Sequence, residues 1–334
     1  MPIQEAKYQG TILSGMRPTG RLHIGHLSVL ENWAAMQDNY RCFFMIADWH
    51  ALTTGYDDTE KIPENIRMVL LDWLAAGLDP EKSTIFIQSH VKAHAELTLL
   101  LGMNTPLSWL ERVPTYKDQL LQLGEQGKDI NTYGFLGYPL LMAADILVYR
   151  ADTVPVGEDQ LPHLEFTREI GRRFNHLYQV EVFPEAKAKL AKIAALPGVD
   201  GRKMSKSYHN DIALSASLQE VEERVRAMVT DPARIRKTDP GHPEVCIVNK
   251  YQSIYNENAL EEIQTSCRAG QIGCTECKKR LAACINQKLE PIRQRRIHYE
   301  ENPQLLDKIL QEGDAAACLE AEKTLKLVRK AIHF

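Results

Sequence analysis

Four short, unbroken apolar runs set the strongest limit on how this chain folds: residues 11–14 (TILS), 42–47 (CFFMIA), 84–87 (TIFI) and 153–156 (TVPV). Their apolarity is continuous rather than alternating, which fits strands buried on both faces. Helical segments lie between them. One runs from about 26 to 37. A second, IPENIRMVLLDWLAAG at 62–77, carries apolar residues at helical spacing and has Gly77 as its stop. A third, 138–149, places Pro139 near its first turn, where a missing N–H costs nothing. A fourth, 161–174, ends in Arg172 and Arg173. Strands alternating with helices imply crossover units and a parallel sheet.

After about residue 200 the strand signals stop. Ser217 with Glu220 reads as a capping box opening the helix SLQEVEERVRAMV. Helical patterns continue over 277–289 and 305–310. A length of 334 residues accommodates two domains. The chain divides into an α/β part (1–200), a Gly- and Lys-bearing loop (201–210) and an all-α part (211–334). The last helix is free to pack back on the first domain. With 44% hydrophobic and 25% charged residues, disordered, collagen-like and rod-like chains are excluded. The longest apolar stretch, 135–149, is broken by Asp145 and too short to span a bilayer. MPIQEAKYQG has neither an apolar core nor a small-residue cleavage site, so no secretion signal is expected and the cytoplasm is the expected compartment. A net charge of −4 leaves any nucleic-acid contact to local patches.

Two short motifs carry chemistry. His23-Ile24-Gly25-His26 follows the first strand and a Pro/Gly loop and opens a helix. Helix N-termini attract phosphate, two imidazoles one turn apart can donate to phosphate oxygens, and Gly25 admits a nucleotide close to the backbone. Alone, the tetrad reads equally well as surface histidines at a helix start. Lys203-Met204-Ser205-Lys206-Ser207 lies in the loop GVDGRKMSKSYHN. Its two lysines suit charge developing on a polyphosphate leaving group. Alone, it reads as a solvated linker.

Together, a HIGH tetrad after the first strand and a KMSKS pentad after the last mark the class I aminoacyl-tRNA synthetases. Over essentially its whole length the chain resembles the bacterial-type tryptophanyl-tRNA synthetases, through ILSGMRPTGRLHIGH, IADWHALT, YPLLMAADILVY, VPVGEDQ and KMSKS. The resemblance implies a Rossmann-like parallel-sheet catalytic domain followed by an all-α anticodon-binding domain. It implies activation of tryptophan by ATP, with Mg²⁺ held mainly by the phosphates, then transfer to tRNA(Trp), by a homodimer. His23, His26, Lys203 and Lys206 would be the catalytic residues. Arg17, Gly25, Gly157, Asp159, Met204 and Ser205 would join them around ATP. Asp159 reads equally as a helix cap, and Arg17 lies near either the phosphates or the substrate carboxylate.

Tyr138, Met142 and Asp145 recur at i, i+4 and i+7, on one helix face. A carboxylate in so apolar a stripe must find a partner. An indole N–H donates and accepts nothing, so it suits an ionised acceptor. The resemblance puts Asp145 on that nitrogen, Tyr138 and Gln160 on the ammonium, and Leu13, Gly15, Met142, Val154 and Val156 around the ring. Leu13 stands where relatives often carry an aromatic, which puts that one stacking contact in doubt. His50 matches a position near the substrate carboxylate, with a satisfied structural histidine as the other reading.

Seven cysteines, an odd number, argue against a simple disulfide framework. Cys246, Cys267, Cys274 and Cys277 form C-x20-C-x6-C-x2-C, which suits a [4Fe–4S] cluster or tetrahedral zinc. The chain is similar here to the synthetase subgroup with an iron–sulfur site, though its first gap is slightly shorter. The cluster is the favoured expectation, zinc the alternative. Lys278, Lys279 and Arg280, and then Arg293, Arg295 and Arg296, form basic groups expected either to solvate a helix or to meet tRNA phosphates. Three other functions compete: a tyrosyl-tRNA synthetase, a small-molecule nucleotidyltransferase, and a non-charging paralogue that binds RNA or senses tryptophan.

Overall fold

A computed structural model describes residues 8–113, 116, 131–190 and 196–334. Five strands, β1 (Thr11–Met16), β2 (Arg41–Ile46), β3 (Ser83–Ile87), β4 (Thr153–Val156) and β5 (Lys187–Leu190), form one sheet in the order β3-β2-β1-β4-β5. All its pairings are parallel. The four apolar runs are four of these strands. Sequence reading missed β5, because KAKL is an edge strand with two lysines and no fully buried residue. Backbone pairing holds it instead, Lys187 N–H donating to the Asp152 carbonyl at 2.7 Å.

The helices of the first part are α1 (Leu27–Met36), α2 (Asp48–Gly55), α3 (Ile62–Ala76), α4 (Ala93–Gly102), α5 (Leu107–Glu111), α6 (Tyr133–Val148) and α7 (Leu161–Tyr178). Gly77 ends α3 at φ +113°, a conformation that favours glycine. Helix α6 departs from expectation. It begins at Tyr133, five residues before the expected start, so Pro139 lies inside it rather than in its first turn. Thr132 supplies the cap, its hydroxyl accepting from Phe135 N–H at 3.2 Å. Packing on α4 and α7 then outweighs the single bond the proline removes.

Beyond residue 200 come α8 (Leu218–Ala227), α9 (Ile247–Tyr255), α10 (Leu260–Arg268), α11 (Cys274–Glu301) and α12 (Pro303–Ala331). The Ser217–Glu220 capping box at α8 forms as expected. No helix among the described residues is long and apolar enough to cross a membrane.

Adjacent residues of each strand feed opposite cores. Ile12, Phe44 and Ile85 join α1, α3, α8 and α11 on one face. Leu13, Phe43, Met45 and Phe86 join α4, α6, α7 and the later part of α12 on the other. Helix α12 crosses the β3 edge at Gly313, where a Cβ would stand 1.8 Å from the Ile85 carbonyl oxygen. There Asp314 Oδ1 accepts from Ile87 N–H at 2.9 Å. A strand edge otherwise open to pairing is thereby closed.

Candidate active site

Strand order reverses between β1 and β4, the point at which open parallel sheets bind ligands beyond their carboxyl ends. The register between them is a single pair, Ile12 opposite Thr153. A cavity of about 430 Å³ opens beyond it. Leu13 and Gly15 from β1, Val154 and Val156 from β4, His50 from α2, Tyr138, Met142 and Asp145 from α6, and Gln160 all line it. These are the nine residues expected around tryptophan. Arg17 and Gly157, expected around ATP, line the same cavity. Gly15 is sterically required, because a Cβ would stand 2.4 Å from the Met45 carbonyl oxygen.

Asp145 is 2% exposed and meets three side chains. His94 Nδ1 lies 2.6 Å from Oδ1, His50 Nε2 2.9 Å from Oδ2, and Gln88 Nε2 donates to both oxygens at 2.9 Å. Burial pushes this carboxyl's pKa up, but the bonds from His50 and His94 outweigh it and hold it at about 2. An ionised carboxylate only accepts, so both imidazoles donate to it. Sequence reading missed Gln88 and His94. The signal available was the demand of a buried acid for partners, without any indication of which residues answer it. His50, matched by resemblance to the neighbourhood of the substrate carboxylate, lines the cavity and bonds Asp145.

His23, Gly25 and His26 do not line this cavity; they sit beside it, at the turn into α1. Ile24 N–H donates to the Ile212 carbonyl and Leu214 N–H to the Leu22 carbonyl, both at 2.9 Å. This short ladder joins the HIGH turn to the segment after KMSKS. A Cβ on Gly25 would meet His23 Nδ1 at 2.9 Å and Met204 Sδ at 3.4 Å, so the two motifs touch. Lys206 Nζ donates to the Thr19 carbonyl at 2.7 Å. Lys203 is exposed, Ser205 half-buried. Asn210, buried and overlooked in the sequence, pins the loop. Its Oδ1 accepts from Ser205 N–H, and its Nδ2 donates to Asp200 Oδ1 and the Lys203 carbonyl.

Burial, then the charge of Lys206, lowers the His23 pKa to about 4. Burial, then His23 and Lys206, lowers His26 to about 3. Both rings are neutral at pH 7. His23 N–H donates to His26 Nδ1 at 3.3 Å, leaving the ring proton of His26 on Nε2 as a donor. Asp159 caps nothing; its Oδ2 accepts from Gln160 Nε2 at 2.8 Å.

The four cysteines come from three helices: Cys246 immediately precedes α9, Cys267 lies in α10, and Cys274 and Cys277 begin α11. All are free thiols. Burial raises the Cys277 pKa to about 11, and the other three sulfurs push it the same way. Arg234 Nη1 points at Cys267 Sγ and Cys274 Sγ, at 3.6 and 3.8 Å. Among the described residues, no three His, Cys, Asp or Glu side chains close to the spacing of a single metal ion.

The second basic group corrects an expectation. Arg293 Nε donates to the Ala216 carbonyl, Arg295 Nε to the Ala75 carbonyl, and Arg296 pairs with the buried Asp72. These guanidinium groups tie α11 to the rest of the fold. In the first group, Arg280 pairs with Glu262 and Glu276, and Lys278 donates to the Arg226 carbonyl.

A parallel sheet with its cavity at the switch point, and HIGH and KMSKS motifs in contact beside it, define a class I aminoacyl-tRNA synthetase. The family model "tRNA synthetases class I (W and Y)" matches residues 6–290. The chain is 52% identical to the tryptophan–tRNA ligase of Thermotoga maritima over 96% of its length and 98% of that protein's. It is 44% identical to that of Aquifex aeolicus, covering 96% and 99%. The structure of the Campylobacter jejuni tryptophanyl-tRNA synthetase complexed with ADP and tryptophan superposes with a TM-score of 0.86 at 32% identity, covering 97% of this chain and all of that one. The chain belongs to the class I tRNA synthetases and, within them, to the tryptophan–tRNA ligase family.

Proposed function

We propose that the cavity between β1 and β4 takes tryptophan, and that the adjoining HIGH and KMSKS turns take ATP. A tryptophan carboxylate oxygen attacks the α-phosphorus. The bond to the bridging oxygen breaks, giving Trp-AMP and pyrophosphate. A hydroxyl of the terminal ribose of tRNA(Trp) then attacks the activated carbonyl, and AMP leaves. No protein nucleophile takes part, so the residues act by positioning and charge stabilisation. His26 Nε2–H and His23 face the phosphates as neutral donors. Lys203 and Lys206 balance charge on the departing pyrophosphate, whose Mg²⁺ is held mainly by phosphate oxygens. Gly157 and Asp159 serve the ribose side, and Tyr138 and Gln160 the ammonium.

The observation that carries this reading is the ionised, buried Asp145 carboxylate in the cavity wall, among the apolar side chains of Leu13, Met142, Val154 and Val156. It suits an indole N–H and leaves a phenylalanine ring unable to satisfy it. Pyrophosphate exchange with tryptophan and with tyrosine tests the assignment. Exchange with tryptophan is expected, and exchange with tyrosine alone would end it.

The same reading takes residues 1–200 as the catalytic domain, 201–210 as the KMSKS loop and 211–334 as the anticodon-binding domain of a cytoplasmic homodimer. For the four cysteines, a [4Fe–4S] cluster is the favoured occupant. The supports are four free thiols at α9, α10 and α11, of which Cys246, Cys267 and Cys274 all act on the Cys277 thiol, and a cationic Arg234 beside two of them. Zinc is the second reading, but it needs four sulfurs about 2.3 Å from one ion. A cluster would supply a thiolate-ligated redox-active iron centre that ties α9, α10 and α11 together. Anaerobic purification with iron, sulfide and zinc analysis decides: brown protein with four irons per chain is expected, and colourless stoichiometric zinc protein would refute it.

A further inference from the structure

Behind Asp145, away from the cavity, stands a relay that no substrate reaches. His94 is wholly buried and bridges two groups of α6 and its end. Its Nδ1 lies 2.6 Å from Asp145 Oδ1 and its Nε2 2.8 Å from the Tyr149 hydroxyl. Tyr149 follows Asp145 by one helical turn and is itself buried. Burial, then the charge of Asp145, raises the Tyr149 pKa well above its usual value. The phenol therefore keeps its proton, and its hydroxyl holds the Nε2 side of the ring. That leaves His94 with its Nδ1–H aimed at Asp145. Gln88, also fully buried, donates to both carboxylate oxygens. Of the three side chains on Asp145, only His50 lines the cavity. Oδ2, where His50 donates, is thus the face of the carboxylate open to a ligand, while Oδ1 is anchored from behind.

We propose that His94 is a positioning residue for amino-acid selection: held by Tyr149, it orients Asp145 so that Oδ2 is presented to a ligand N–H. The inference rests on the reading that the cavity takes tryptophan. It places the discrimination between ring systems partly in a residue that never touches the substrate. Without the His94 donor, burial acts on Asp145 with less opposition, so its protonation moves up toward the assay range. The carboxylate also becomes free to turn about its side-chain torsions.

The test compares tryptophan with benzothienylalanine, which keeps the bicyclic shape but replaces the N–H with sulfur. Wild-type protein is expected to activate tryptophan, and to prefer it, in kcat/KM for pyrophosphate exchange. Failure there would sink the tryptophan reading itself. In His94→Leu the preference is expected to fall by about tenfold, through the KM for tryptophan rather than kcat. Its KM is expected to rise as pH falls from 8 to 5, where the wild-type KM stays flat. His94→Asn, which keeps a donor near the Nδ1 position, should recover most of the preference. Tyr149→Phe, a milder change that only releases the Nε2 side of the His94 ring, should shift it the same way by a smaller factor. A His94→Leu protein with an unaltered tryptophan preference and a flat KM profile would overturn the proposal. So would a folded Tyr149→Phe protein with wild-type selectivity if the leucine variant does not fold.

Discussion

Met204 of the KMSKS loop lies against Gly25 of the HIGH tetrad, 3.4 Å from where a Cβ on that glycine would stand. The two residues, 179 positions apart, pack as one surface because the 22–24 and 212–214 backbones pair. A methyl group at position 25 would also stand 2.9 Å from His23 Nδ1, closer than side chains tolerate. Gly25→Ala is therefore expected to push the His23 ring aside and to loosen the loop. The expected loss in kcat/KM for ATP is about a hundredfold, in keeping with the cost of misplacing groups around a reacting phosphate. Exchange kinetics at varied ATP check it, with the tryptophan KM as the control that should stay near wild type.

Asp145 gives a different signature. Asparagine there offers one acceptor oxygen in place of two, and its amide N–H groups oppose donors from Gln88, His94 or His50. Asp145→Asn and Asp145→Ala are both expected to raise the KM for tryptophan by about tenfold to a hundredfold. Rejection of phenylalanine should weaken in parallel. Initial rates with each amino acid test this, and an unchanged tryptophan KM would count against the pocket assignment. The wild-type KM should not change between pH 8 and 5, because a carboxyl held at about 2 stays ionised throughout.

The HIGH histidines predict a pH dependence of stability as well as of rate. Their folded pKa values, about 4 and about 3, lie below the free-histidine value of 6.5. Between about 4 and 6.5 the unfolded chain binds protons that the folded chain refuses, so these residues weaken the fold as pH falls through that window. His26→Gln should accordingly lose less stability than wild type between pH 7 and 5, measured as Tm at each pH. Because both rings are neutral in the free protein, kcat/KM for ATP should show no histidine titration specific to His26 above about pH 5. A wild-type inflection near 6.5 that disappears in His26→Gln would contradict the neutral-donor assignment.

What the sequence made legible follows from what burial demands locally. CFFMIA and TIFI read as strands because both faces are covered, and β5 escaped because KAKL lies at the edge. Asp145 stood out because an acid within an apolar helix needs partners. The partners did not, since Gln88 and His94 lie 57 and 51 positions away and only the packing of α4 on α6 brings His94 in. Arg295 and Arg296 illustrate the opposite error. A run of arginines reads alike whether it faces solvent or the interior, and here it turns inward to Ala75 and Asp72. The start of α6 was misjudged because Pro139 usually marks a first turn, whereas Thr132 caps the helix earlier.

Asp72 and Arg296 make the last prediction, because they link α11 to the backbone just ahead of the HIGH tetrad. Asp72 is fully buried on α3; it accepts from Leu22 N–H at 2.6 Å and pairs with Arg296. Burial raises its pKa to about 6 even though Arg296 pulls it down. Removing the guanidinium leaves a charge buried without its counterion, which costs about 3 kcal/mol or more. Arg296→Ala should therefore unfold at markedly lower urea. A carboxyl with a raised folded pKa contributes stability below that pKa and loses it as pH climbs through it. The gap between wild type and Arg296→Ala should accordingly be larger at pH 8 than at pH 5, where a protonated Asp72 no longer needs a cation. The double variant Asp72→Asn/Arg296→Gln, which leaves no charge behind, should regain much of the loss. A single variant as stable as wild type at pH 8, or a gap that widens in acid, would show that this pair does not hold α11 to the HIGH turn.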